Sequence, residues 1–270
     1  MKLFLVGLMA SSFAYSASQE KWTPKYKKQN IAVEKTAEAI KDSEKTFSNP
    51  LESLYAQKPK GKGHLNILKQ ESLKLKQNAV PTLIKVMKGK EFPSENRWVA
   101  TYMLGRIMGV KAAPYIAKFA EHPNWMLRLA SLKVLLHLNQ AKYKGIYARL
   151  LDDKSLIVRH QALQNIKEMN ISQLAPYVWK MLYNKDNYAG QSGQLKRSNI
   201  IKDAIRIVGD LGFKDAKKPM LEMINRKKFK DVHEDLDYAL SKITNKNSPK
   251  GGMNVKQMYW KKEAIKEITI

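Results

Sequence analysis

"PNWMLRLASLKVLLHL", residues 123–138, sets Arg128 six residues after His122, with apolar side chains at helical spacing behind it. Thirty-one residues on, "DKSLIVRHQALQNI" (153–166) repeats the arrangement, with Arg159 six residues after Asp153. Either one arginine chemistry is used twice or one structural unit is. A pattern that returns at a fixed interval of this length is the mark of a stacked-repeat architecture, so the neighbouring sequence is read in steps of that size.

Five segments can be laid over one another. They begin at Ala79 ("AVPTLIKVMKGKEFPSENRWVATYMLGRIMG"), Ala112, Tyr143, Leu174 and Ala216. Pro81 to Pro114 is 33 residues, and Arg97 to Arg128 to Arg159 advances by 31 each time. Gly145 takes the Pro place of the third unit, and Pro176 follows it by 31. Pro176 to Pro219 is 43, so the fourth unit carries an insertion, the polar stretch "NKDNYAGQSGQLKRSN" (184–199). Within each unit two apolar stripes of helical period flank a polar turn. Pro opens the first helix, where its missing N–H costs nothing. A lone helix hairpin cannot bury both stripes, whereas stacked neighbours can.

These segments resemble HEAT repeats, in particular the short bacterial kind also seen in phycobilin lyases. The resemblance rests on an Arg, an Ala three later, an apolar residue at seven and Gly at eight. Arg97, Ala100, Leu104 and Gly105 match throughout. Ala204, Val208 and Gly209 match with Ile201 in the Arg place, Arg159, Ala162 and Ile166 match without the Gly, and Arg128 and Leu135 match with Ser131 for Ala. It covers roughly 65–245 and is weakest in the fifth unit. It implies an all-α fold, a right-handed α-solenoid of about five helix pairs, with an N-terminal helical extension and a C-terminal capping helix. Expected boundaries are 1–18 signal peptide, 19–63 basic extension, 64–245 repeats and 246–270 linker and terminal helix.

The family also resembles itself in an acidic residue six positions before the Arg. Here Glu91 precedes Arg97, Asp153 precedes Arg159, and His122 stands before Arg128 with Glu121 beside it. A guanidinium offers five donors in a fixed fork, suited to turn carbonyls and to a carboxylate of its own or the next repeat. A residue recurring once per unit is explained by stacking. The expectation is a structural ladder of Glu91, Arg97, Arg128, Asp153 and Arg159.

Composition bounds the rest. The net charge is +25, with 49 Lys+Arg against 24 Asp+Glu, which favours anionic partners. "MKLFLVGLMASSFAYSASQ" has Lys2, an apolar run from Leu3 to Ala10, and Ala14-Tyr15-Ser16 as a small-x-small site. It reads as a secretory signal, too short to span a bilayer. Export to a bacterial periplasm is the expected destination, and it removes nucleic acid as the expected partner. There is no Cys, hence no disulfide, thiol nucleophile or thiolate metal site.

Motifs for chemistry are sparse. His64, His122, His137, His160 and His233 show no H-E-x-x-H spacing. No G-x-S-x-G or S-x-x-K presents a nucleophile. "AGQSGQLKRS" (189–198) lacks phosphate-loop spacing, but its Lys196 and Arg197 border the expected binding side. Asp152-Asp153 belongs to a turn, and Glu234 and Asp237 share a helix side. No catalytic residue, metal or cofactor is expected. Some HEAT-like proteins are alkylpurine DNA glycosylases with basic grooves and tryptophans; Trp98, Trp125 and Trp179 invite the comparison, without an identifiable Asp.

Second helices line the inner curve of such solenoids, so Lys133, Lys167, Lys202 and Arg206 are expected to project there as a basic stripe. The expected function is a non-catalytic scaffold of the cell envelope that binds a protein with an acidic surface. The alternative is an anionic envelope polymer or lipid headgroup, and a glycosylase-like or lyase-like enzyme is a distant third. In "MNVKQMYWKKEAIKEITI" (253–270), the terminal helix either covers the last repeat or lays Trp260, Lys261 and Lys262 on an anionic membrane.

Overall fold

The computed structural model describes residues 47, 49–189, 196–197 and 199–268. The expected signal peptide, and residues 19–46 of the expected basic extension, lie outside the described residues. The described chain opens with Pro50–Ala56 (α1) and Lys62–Leu75 (α2). Five helix pairs follow where the repeats place them. They are Val80–Lys88 (α3) with Ser94–Met108 (α4), Ala113–Lys118 (α5) with Trp125–His137 (α6), and Lys144–Leu150 (α7) with Leu156–Glu168 (α8). Ala175–Lys180 (α9) with Asn199–Asp210 (α10) and Lys217–Ile224 (α11) with His233–Thr244 (α12) complete the set. Met253–Ile268 (α13) ends it. The all-α helical-repeat class expected from the sequence is the fold observed.

Each second helix packs on the next in chain order, α4 on α6, α6 on α8, α8 on α10 and α10 on α12, while each first helix packs on its own partner. Local chemistry fixes the ends. First helices carry Pro81, Pro114 or Pro176 at the opening turn. Every second helix is closed by a left-handed residue: Gly109, Asn139, Asn170, Gly212 and Asn245, with φ between 48° and 66°. After three of them the next amide turns back five residues, as in Gln140 N–H to Leu135 O, Ile171 to Ile166 and Phe213 to Val208. That is a Schellman-type closure, which satisfies otherwise orphaned carbonyls.

The stack is close because of two glycines. A Cβ on Gly105 would lie 2.4 Å from Val134 Cγ1, and one on Gly209 would lie 2.6 Å from Ala239 Cα. Around them Leu104, Leu135, Ile166 and Val208 are wholly buried. Each such side chain contributes about 1.5–3 kcal/mol over its exposed state. Buried amides add register, since Asn165 Nδ2 donates to the Leu132 carbonyl one unit back (2.8 Å).

Three observations go beyond the expectations. Residues 49–56, from the stretch read as an extension, dock on the first pair. Tyr55 is buried with its hydroxyl on Ser72 Oγ (2.8 Å), and Asn96 Nδ2 donates to the Tyr55 and Gln57 carbonyls (2.7 Å each). The fourth-unit insertion holds a two-residue antiparallel ladder, Tyr188–Ala189 (β1) with Lys196–Arg197 (β2), without any β-type alternation in the sequence. His137, at the end of α6 beside an apolar stripe, is exposed.

Candidate functional site

The three recurring arginines sit at the turn between first and second helices, and each ties its turn to the next one. Arg128 donates from Nη1 to the His122 and Pro123 carbonyls (2.8 Å each) and grips Asp153 with Nε and Nη2 (2.6 and 2.7 Å). Arg159 donates from Nη1 to the Asp153 carbonyl (2.7 Å), from Nε to Asn187 Oδ1 (2.7 Å) and from Nη2 to the Asp186 carbonyl (2.8 Å). Arg97 donates twice to the Met87 carbonyl (3.1 and 2.8 Å) and from Nη2 to His122 Nε2 (3.0 Å). The side chains six residues before Arg128 and Arg159 therefore serve the arginine of the preceding unit. This accounts for Glu91, which is exposed and acts on Arg97 only at a distance. The helix before it, α2, contains no arginine to receive its carboxylate.

His122 is the weak rung. Burial first, then the Arg97 charge, with Arg128 and Lys90 beyond, lowers its pKa below the ordinary histidine value. The Asn124 amide also points at Nδ1 (3.0 Å). A neutral ring accepts at only one nitrogen, so a second proton would set both sides against donors.

The opposite aspect of the second helices is the open one. In α4 the positions not buried are Ser94, Glu95, Trp98, Tyr102, Arg106 and those of the last turn. The same i, i+4 line gives Trp125, Leu129 and Lys133 on α6, Leu156, His160 and Gln164 on α8, and Lys202 and Arg206 on α10. Trp98 and Tyr102 are half-buried and stack with centroids 6.1 Å apart. Trp125, Leu156 and Ile157 are 42%, 47% and 55% exposed, which is high for residues of their kind.

Of the residues expected to bind a partner, Lys133 and Lys167 are exposed, Lys202 and Arg206 half-exposed, and all four lie on this open aspect. They are not one continuous stripe of free charge. Arg206 lies 3.3 Å from Asp235 and 4.5 Å from the Tyr238 ring centre, and His160 lies 3.1 Å from Asp203. Burial raises the Asp235 pKa despite the neighbouring Arg206 and Lys202. Lys196 and Arg197 lie apart in β2, opposite Ala189 and Tyr188. Trp179 belongs to a first helix, edge-on to Tyr183, so the three tryptophans do not form one wall. Among the described residues, no group of three His, Asp or Glu could hold a metal ion.

The terminal helix α13 corrects the place given to one residue. Trp260, set against a membrane in that reading, is wholly buried and donates Nε1–H to Asp237 Oδ1 (2.7 Å). Lys256 Nζ takes Asp237 Oδ2 (2.7 Å), and Gln257 donates to the Ile224 carbonyl (2.7 Å). Burial opposes the Asp237 charge, but hydrogen bonds from Lys256, Ser248 and Trp260 outweigh it and hold the carboxyl below its ordinary range. Lys242, Ser248 and Gly252 line a polar cavity of about 740 Å³ beside this junction.

No family model matches the chain, and no curated protein is significantly similar to it. Among solved structures it is similar to the complex of CpcE and CpcF of phycocyanin lyase from Nostoc sp. PCC7120. That match has 14% identity, a TM-score of 0.38, and coverage of 91% of this chain and 98% of that one.

Proposed function

We propose that this protein is a non-catalytic interaction scaffold of the bacterial cell envelope, binding a partner protein across the open side of its second helices. The observation that carries this reading is the line Trp98–Tyr102, Trp125–Leu129 and Leu156, on three stacked helices. Aromatic and aliphatic anchors beside exposed cations are the composition of a binding hot spot, and monomeric surfaces seldom gather them. The ladder arginines support a structural reading of the charge, since they are consumed in holding turns. Excess positive charge elsewhere speeds encounter with an acidic surface and selects it. Photo-crosslinking from position 125 in the native cell tests this. A single protein should be captured there and lost on Trp98→Ala plus Leu129→Ala; equal capture from exposed Lys154 defeats the reading.

A second reading has one observation in its favour. Val255, Met258 and Ile265 are exposed on the outer side of α13, among Lys261 and Lys262. A helix lying on anionic headgroups has that composition. Binding to vesicles containing anionic lipid, lost on Met258→Glu and with rising salt, would establish it.

A further inference from the structure

The open side of the second helices carries two strips, and their geometry specifies the shape of the partner. The helices run parallel, because the arginine at the start of each reaches the turn at the start of the next. Along their beginnings lie Trp98 on α4, Trp125 and Leu129 on α6, and Leu156 and Ile157 on α8. Toward their ends lie Arg106 on α4, Lys133 on α6 and Lys167 on α8, all exposed and with no carboxylate at ion-pair distance among the described residues. Within a helix, anchor and cation are separated by about 6–16 Å at 1.5 Å per residue. The apolar strip stops at α8, because Lys202 stands in its row on α10, with Asp203 and Asp235 among the charges nearby.

We propose that the occupant is an amphipathic α-helix of about three heptads from the partner, lying across α4, α6 and α8. This rests on the interaction reading above and deepens it. Packed helices are spaced about 8–10 Å apart, and one heptad of α-helix advances about 10.5 Å. A helix crossing the rungs thus brings its positions i, i+7 and i+14 over successive anchors. One acidic residue per heptad, on the flank facing the helix ends, meets Arg106, Lys133 and Lys167 in turn. An extended strand would need three residues per rung, and its alternation would send every second anchor outward.

The test uses the full chain and three synthetic 21-residue peptides, the first two of equal composition, with binding read from tryptophan emission and calorimetry. The first has Leu at each heptad start and Glu four residues later, the second has the same residues at five-residue spacing, and the third has the first pattern with Lys for Glu. Only the first should bind, shifting the emission of Trp98 and Trp125 to the blue. The exposed-site variant Lys133→Glu with Lys167→Glu should weaken it roughly tenfold and reverse the preference toward the third peptide. Equal binding of the first two peptides overturns the inference. If no peptide binds while crosslinkers at position 125 still capture a protein, the helical occupant is wrong and the interaction reading stands. If both fail, both readings fall.

Discussion

Arg128 and Asp153 meet through two parallel bonds, Nε to Oδ2 at 2.6 Å and Nη2 to Oδ1 at 2.7 Å, across the boundary between two repeats. Both side chains are largely withdrawn from water, and the remaining guanidinium nitrogen closes Arg128's own turn. The pair is thus one joint serving two units. Arg128→Lys keeps the charge but loses the fork, and should lower unfolding free energy by about 1–3 kcal/mol. Arg128→Ala, which strands a buried carboxylate, should cost about 3–5 kcal/mol. Urea unfolding of both variants checks the order; a lysine variant as stable as the parent would show that the fork contributes nothing.

Gly105 and Gly209 should respond differently to alanine. The added Cβ at 209 meets the backbone of Ala239, which cannot step aside, whereas at 105 it meets one Val134 methyl. Gly209→Ala should destabilise by about 1–3 kcal/mol net, since overpacking exceeds the roughly 1 kcal/mol gained in helix propensity. Gly105→Ala should be milder and be largely restored by Val134→Ala. Thermal melts of the two singles and the double variant measure this.

Acid should loosen the joint between the first two repeats. His122 has a folded-state pKa below its unfolded value of 6.5, through burial and the Arg97 charge. Its neutral-form stability is therefore present above about pH 6.5 and is lost as pH falls through the folded-state pKa. His64, buried and near Lys60, is shifted the same way and adds to the loss. His122→Asn should reduce the slope of stability between pH 4 and 7 while leaving the His64 share. A slope that does not change assigns the acid sensitivity elsewhere.

Asp237 fastens the capping helix. Asp237→Ala strands the Trp260 N–H and frees Lys256, and should cost about 3 kcal/mol and expose α13 amides to exchange. Hydrogen exchange should rise in 253–266 while α4 and α6 keep their protection. Loss of protection throughout would mean that the cap is needed by the whole stack.

Much of the fold was legible at the level of spacing. The 31-residue step from Arg97 to Arg128 to Arg159 announced the rungs, and Pro81, Pro114 and Pro176 announced the first helices. The terminating residues Gly109, Asn139, Asn170, Gly212 and Asn245 recur as well, and were a readable signal for helix ends that hydrophobic periodicity passes over. An acid six residues before an arginine leaves open whether it serves its own repeat or a neighbouring one. At Asp153 the contact runs from the arginine of the preceding unit, a direction carried by no local pattern.

The sequence by itself determined that helix pairs stack, because a single pair cannot hide two apolar stripes and the chain repeats one in register. Tertiary structure alone decided which side of each second helix stays open, and so turned Trp125 and Leu156 outward while drawing Trp260 in. Helical period says which residues share a side. Whether that side meets water depends on where the neighbouring helix comes to rest, and that is settled by contacts between residues far apart in the chain.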